Sequence, residues 1–221
     1  PMKSLAEIRR LVAAWADIEI EDKYQKELKD LSLRLAADDS AAIDQATEMF
    51  GARVSFGTAG LRGPMRAGPN GLNRTVIAQT TAGLAKFLAE REKEISRQKS
   101  VVVVGFDGRH NSETFARDTS EILSGSGINV MLMSDMVPTP VLAYAVRTLK
   151  ADAGIMITAS HNPSSDNGYK VYLGGEDQGS QIVPPADGQI ERHIQAVVED
   201  SSWARARRSS ELIELLNDDI V

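Results

Sequence analysis

Apolar positions in the first fifty residues recur at three- and four-residue steps. Leu5, Ile8, Leu11, Val12, Trp15 and Ile18 fall on one helix face, and Tyr24, Leu28, Leu31 and Leu35 repeat the spacing. Ser4, with Glu7 three residues later, fits a capping box that starts the first helix, and Ser40 can cap a third one ending near Phe50. The pattern predicts a helical arm over residues 1–50 whose role is packing. From Val54 onward the texture changes. Residues 73–95 read as a helix with Val76, Ile77, Leu84, Phe87 and Leu88 inward. Val101 to Val104 is a continuous apolar run, as expected of a strand buried on both faces. Residues 112–123 return to helical spacing and are stopped by Gly125 and Gly127. A strand over 128–133, a helix over 140–149 with proline at its start, and a strand over 154–158 follow. Strand and helix thus alternate three times, the signature of parallel crossovers with helices on both faces. The predicted fold is α/β, a three-layer αβα domain with a mostly parallel mixed sheet, preceded by the helical arm.

After Thr158 this alternation breaks. Residues 159–168 form a polar loop, and Tyr169 to Leu173 alternates like a strand. Gly174-Gly175 turns the chain so that Gln181-Ile182-Val183 can pair back as a hairpin. Pro184-Pro185 opens a last helix through Val197. From Asp200 the chain is rich in serine and arginine, as in a linker, and residues 211–221 begin a new helical pattern.

Composition narrows the function classes. Of 221 residues, 42% are hydrophobic and 25% charged, which excludes wholesale disorder. With 25 Lys and Arg against 31 Asp and Glu, the net charge of -6 leaves no broad basic face for nucleic acid or an anionic membrane. Cysteine is absent, which removes disulfides, thiolate nucleophiles and Cys-ligated zinc together. The three histidines are too few for a multi-histidine metal site. His110 and His193 are expected at the surface, and Trp15 and Trp203 in packing roles. No apolar run reaches membrane-spanning length and no signal peptide is visible, so the expected location is the cytoplasm.

Ligands of open parallel sheets bind where the strands end at their carboxyl side. Three loops leave those ends here: Phe106 to Asn111, Ser134 to Pro140, and Thr158 to Pro163. Ser160, His161, Asp107 and Arg109 are therefore expected near one rim. A serine there can act as a nucleophile if a base takes its proton and cations stabilise the group it receives. Adjacent side chains in extended backbone point apart, which argues against a Ser160–His161 pair. A Gly-x-Ser-x-Gly elbow is missing, which weakens an acyl-transfer hydrolase. Phosphoryl transfer, which asks mainly for cationic clamps, backbone donors and a metal, suits the composition better. A second glycine-rich segment, Phe56-Gly-Thr-Ala-Gly-Leu-Arg-Gly63, offers backbone N–H groups and the planar fork of Arg62 to phosphate oxygens. It is not a Walker A loop, because no Gly-Lys-Ser/Thr follows.

Taken in order, Phe56 to Gly63, Gly105-Phe-Asp-Gly-Arg109, Pro138-Thr-Pro140, Thr158-Ala-Ser-His-Asn-Pro163 and Asn167-Gly-Tyr-Lys170 closely resemble the first domain of the α-D-phosphohexomutase superfamily. That superfamily holds the phosphoglucomutases and phosphomannomutases. The resemblance runs from about Phe56 to Pro185. The helical arm and Gly179-Ser-Gln-Ile-Val-Pro-Pro185 are most similar to the subgroup of type-2 phosphoglucomutases and phosphopentomutases.

The resemblance implies an isomerase, an intramolecular phosphotransferase that moves phosphate within a hexose or pentose phosphate through a bisphosphorylated sugar. Ser160 would carry the phosphoryl group, with Lys170 as general acid/base, Arg62 as the second cation, and His161 contacting substrate or phosphate. Asp107 and Arg109 would support the loop, while Thr58, Gly60 and Asn162 would bind phosphate or shape the site. A lysine beside other cations has a lowered pKa and can exchange protons near neutrality. The resemblance also implies Mg2+, bound through the phosphate on Ser160 and an Asp-x-Asp-x-Asp loop that this sequence lacks. The domain division expected on this basis is a first domain over 1–203, with the arm at 1–50 and the catalytic-serine part at 51–199. Residues 204–221 would be a linker and the start of domain II. Partners would be the sugar phosphate, the sugar bisphosphate and the missing domains II–IV, and the isolated domain would have little or no mutase activity. Two rivals stand beside this reading: a non-catalytic sugar-phosphate-binding module, and a serine hydrolase using His110 or His161.

Overall fold

The computed structural model describes residues 3–57, 60–94 and 99–217. It divides into two compact units, one made of the chain up to Val54 with Gly63–Val76, the other of Ser55–Arg62 with the chain from Ile77 on.

The first unit holds the arm. Helices α1 (Leu5–Ile18), α2 (Asp22–Ala36) and α3 (Ser40–Phe50) pack through the apolar positions that the sequence spaces at three and four. Ile8, Val12, Trp15, Tyr24, Leu28, Leu31 and Leu35 are all buried, and the Trp15 and Phe50 rings meet edge to face at 6.1 Å. Ser4 caps α1, its hydroxyl accepting from the Glu7 N–H at 3.3 Å. The cap of α3 is Asp39 rather than Ser40: its carboxylate accepts from the N–H groups of Ala41 and Ala42 at 2.9 and 3.3 Å. A carboxylate one residue earlier meets the same free amides and complements the helix dipole. This unit is larger than the first fifty residues, because Arg66, Asn70 and Asn73 tie 63–76 into it, Arg66 pairing with Glu48.

The second unit is built on a mixed seven-stranded sheet. Its strands are β1 (Leu61–Pro64), β2 (Val101–Phe106), β3 (Asn129–Met133), β4 (Ala153–Ile157), β5 (Asp166–Leu173), β6 (Ser180–Gln181) and β7 (Ile213–Leu216). The order is β1-β5-β4-β2-β3-β7, with β6 beside β5. β4, β2, β3 and β7 run parallel; β5 is antiparallel to β4 and to β6. Helices α4 (Arg74–Glu94), α5 (Ser112–Gly125), α6 (Thr139–Thr148) and α7 (Ala186–Glu199) complete the fold. The connection β2–α5–β3 steps one way along the sheet, and β3–α6–β4 steps back across β2. With right-handed crossovers, α5 and α6 therefore cover opposite faces. The α6 face is packed by Val103, Leu142, Val146, Met156 and Tyr172. On the other face the Tyr169 hydroxyl lies 3.1 Å from that of Thr81 on α4.

Two expectations change. β5 is buried from Asn167 to Leu173 instead of alternating, because it has strands on both sides and helices on both faces. Residues 213–216 form a strand, not a helix. Short apolar runs fit either period, and the open edge of β3 supplies the missing backbone partners: Val130 and Ser134 donate to the carbonyls of Leu212 and Leu216 at 2.8 and 2.9 Å. The serine- and arginine-rich stretch before it is held down as well. Arg208 pairs with the buried Asp118 and with Glu121, and a Cβ on Gly125 would lie 1.8 Å from the Arg207 carbonyl. The terminal residues 218–221 lie outside the described residues. No described helix is long and apolar enough to cross a membrane.

Candidate functional site

The loop from β2 to α5 and the loop from β4 into the antiparallel β5 meet at the carboxyl ends of their strands. Asp107, Arg109 and His110 come from the first loop, and Ser160, Asn162 and Ser164 from the second; together they line a cavity of 420 Å³.

Arg109 organises this rim. Its guanidinium donates to four backbone carbonyls of the serine loop, those of Pro163 (2.7 Å), Ser160 (2.8 Å), Asn162 (2.9 Å) and Asp166 (3.1 Å). Asp107 in turn holds Arg109, at 3.3 Å between its carboxylate and Nε, and also accepts from the Ser112 hydroxyl at 2.8 Å. The Asn162 amide donates to the Asp166 carboxylate at 3.0 Å. Asn167, buried behind the loop, donates to the His110 carbonyl and to the Ser112 hydroxyl. The loop is thus fixed from below while Ser160 itself stays exposed.

Ser160 adopts a left-handed backbone, φ 59°, and its N–H donates to the Thr158 hydroxyl at 3.0 Å. That conformation overturns the expected divergence of neighbouring side chains. The Ser160 hydroxyl lies 3.3 Å from Nδ1 of His161, because the extended backbone on which the expectation rested is absent at this residue.

Arg62 and Lys170 form a second cluster and are not among the residues lining that cavity. Lys170 is buried on β5 opposite Met156 of β4. Burial pushes its ammonium below the ordinary lysine value, the nearby Arg62 charge lowers it further, and Asp107 acts the other way. Asp107 therefore links the two clusters electrostatically. The Nε of Arg62 is buried with no hydrogen-bond partner among the described residues, a cost that a bound anion would relieve. Gly60 makes the approach possible: its φ is +77°, and a Cβ there would sit 1.9 Å from the Tyr169 carbonyl. Thr58 lies outside the described residues.

His110, read from the sequence as a surface residue, is exposed but lines the same cavity as Ser160; its place in the loop of Asp107 and Arg109 was the available signal. His193 is not simply at the surface: its side chain is 19% exposed, beside Glu90. Among the described residues, no three acidic or histidine side chains gather as a metal site.

The family described as phosphoglucomutase/phosphomannomutase, alpha/beta/alpha domain I, matches residues 53–200. A Haemophilus influenzae protein named probable phosphomannomutase is 46% identical over 151 residues, 68% of this chain and 30% of that protein. A mouse phosphopentomutase is 42% identical over 173 residues, covering 76% of this chain and 27% of the relative. A probable phosphoribomutase of Schizosaccharomyces pombe is 36% identical over 196 residues, 89% and 32%. The chain therefore spans about a third or less of the length of these relatives. Among solved structures, a protein assigned as a phosphomannomutase from Thermus thermophilus matches with a TM-score of 0.59 at 31% identity, over 75% of this chain and 33% of that one.

Proposed function

The chain belongs to the phosphoglucomutase/phosphomannomutase family through its alpha/beta/alpha domain I, and on that premise we propose that it is the phosphoserine-bearing domain of a phosphosugar mutase. The observation that carries this reading is the rim itself. An exposed serine sits on a loop pinned by one arginine through four carbonyls, beside a cavity, and Asp107 of the same rim interacts with Lys170, whose neighbour Arg62 has a buried Nε without a partner among the described residues.

In the proposed cycle Ser160 begins phosphorylated. A sugar-phosphate hydroxyl attacks the phosphorus, its proton leaves to a base, and the bond to Oγ breaks as the bond to the sugar oxygen forms. The bisphosphorylated sugar turns over, and the Ser160 oxygen takes the other phosphoryl group by the reverse step. Lys170 is the proposed base and acid, since its lowered pKa raises the neutral fraction near pH 7. Arg62 is proposed to stabilise the charge spread over the transferring group, and His161 to hold the Ser160 oxygen between transfers. Arg109 and Asp107 act as positioning residues, and Asn162 braces the loop through Asp166.

Mg2+ belongs to this reading only as the ion that the family resemblance implies, and it would neutralise phosphate oxygens. The residues here do not fit it alone. Asp107 is engaged by Arg109 and Ser112, and beyond a phosphate on Ser160 no ligand set is gathered among the described residues. The chain alone is expected to have little or no turnover.

A polypeptide carrying the remaining domains with Ser160→Ala should keep its fold and lose at least about a thousandfold in turnover; retained turnover would overturn the reading. Incubating the present chain with a bisphosphorylated hexose and mapping phosphate by mass spectrometry tests the first step directly. Sugar-phosphate binding with no label on Ser160 would favour the non-catalytic module instead.

A further inference from the structure

Two fully buried polar side chains lie beneath the rim without a part in the chemistry assigned to it. Ser112 begins α5 and Asn167 lies near the start of β5; each is 0% exposed. A buried polar pair is costly unless its hydrogen bonds are made. Here they are made, and their direction is fixed. The Gly168 N–H donates to Asn167 Oδ1 at 2.7 Å, and Asn167 Nδ2 donates to the His110 carbonyl at 2.9 Å, so the amide can face only one way. Its other N–H reaches the Ser112 hydroxyl at 3.0 Å. That oxygen accepts, and its single proton goes to Asp107 Oδ1 at 2.8 Å.

Asp107 passes the constraint on. The same Oδ1 accepts from the Arg109 backbone N–H at 3.0 Å, and Oδ2 pairs with Arg109 Nε at 3.3 Å. The four Nη protons of Arg109 go to the carbonyls of Pro163, Asp166, Ser160 and Asn162, which leaves none of them for a phosphate oxygen. Arg109 is therefore a clamp on the loop and not a phosphate ligand. Dependence runs outward from Asn167. It aims the Ser112 proton, the proton aims the Asp107 carboxylate, and the carboxylate holds the guanidinium that shapes the loop around Ser160. Asp107 is also the group that acts electrostatically on Lys170. A carboxylate released by Ser112 would disturb both clusters of the site.

We propose that Asn167 and Ser112 are positioning residues for the transfer at Ser160, acting through Asp107 and Arg109 as a hydrogen-bond relay of fixed direction. The hold on the serine loop is independent of the reaction; only its effect on transfer rests on the proposed function.

Two variants of the 221-residue chain test it by amide hydrogen exchange. Ser112→Ala removes the relay's middle member. Asn167→Asp keeps the size of the side chain and keeps Ser112, but the new carboxylate competes with Asp107 for the Ser112 proton. In both, exchange at the loop amides of Ser160, Asn162 and Asp166 should rise about tenfold relative to Val103 and Ile155 of the sheet, the order of one buried hydrogen bond. A purely structural role would raise loop and sheet together. That result, or unchanged loop amides in either variant, would overturn the proposal. Labelling of Ser160 by a bisphosphorylated hexose separates the relay from the proposed function. Where the parent is labelled, Ser112→Ala should lower the limiting rate about tenfold at an unchanged half-saturating concentration; an unchanged rate would remove the role in transfer. A parent that is never labelled, with loop exchange raised in both variants, would sink the phosphoserine reading and leave the relay standing.

Discussion

Glu19 in the helical arm and Arg62 beside Lys170 are both charged and both carry atoms shielded from water, yet they are treated in opposite ways. Glu19 is 6% exposed and its carboxylate collects donors: Trp15 Nε1 and the Ile20 N–H at 2.9 Å, the Glu21 N–H at 3.2 Å and the Thr75 hydroxyl at 2.9 Å. Neutral donors suffice to hold a buried charge when they are numerous and aimed. Arg62 has a buried Nε without a partner among the described residues, and its charge presses on Lys170. Hydrogen bonding around Glu19 is complete, and at the Arg62 Nε it is not. A satisfied buried charge fixes structure; an unsatisfied one beside a second cation, as at Arg62 and Lys170, is suited to an anion.

The largest effect expected from this contrast is on stability. Glu19→Ala strands the Trp15 indole N–H, the Thr75 hydroxyl proton and the Glu21 amide, while the Ile20 amide keeps the Thr75 oxygen at 3.2 Å, and should cost about 3 kcal/mol in denaturant unfolding. Phosphate binding at the rim should be unaffected. A loss below about 1 kcal/mol would show that the network only follows the fold. Arg62→Met reverses the pattern: stability should hold or rise slightly, while inorganic phosphate affinity at the rim falls about tenfold. Destabilisation with unchanged affinity would place Arg62 with Glu19 as a structural charge.

The smallest effect is in alkaline pH dependence. The folded-state pKa of Lys170 lies below its ordinary value of 10.5. Between the two values the unfolded chain binds more protons than the folded one, so stability gained from this residue rises with pH. The penalty is complete below the folded value and gone above 10.5. Lys170→Met should therefore be more stable than the parent at pH 7, with the difference closing as pH approaches 10.5. A difference independent of pH would mean that Lys170 is not strained in its charged form.

Much of the fold was legible because it rests on periodicity. Leu28, Leu31 and Leu35 repeat at helical spacing, and Val101 to Val104 cannot be covered except between two helical layers. Edges were less legible. Ile213 to Leu216 fits either period, and its choice was made by the free backbone of β3 some eighty residues away. At the site, the loops carrying Asp107, Arg109 and Ser160 could be placed at one rim from strand order alone. The contact between Ser160 and His161 could not, since it depends on one φ angle that the loop enforces through Thr158 and Arg109. His193 was equally opaque, because nothing local marks Glu90, a hundred residues earlier, as its neighbour.

By itself the sequence determined the helices of the arm, the alternating strands and helices from Val101 to Ile157, that the sheet is mostly parallel, and which loops can meet a ligand. These follow from the 3.6- and 2-residue repeats and from the single handedness of crossovers, all of them local or nearly local rules. Only the tertiary structure decided which donors and charges are satisfied. A hydrogen bond needs its partner within about 3 Å, and the partners of Arg109, Glu19 and Arg208 come from segments distant in the chain. Desolvation, likewise, belongs to the packed assembly of side chains and to no residue alone.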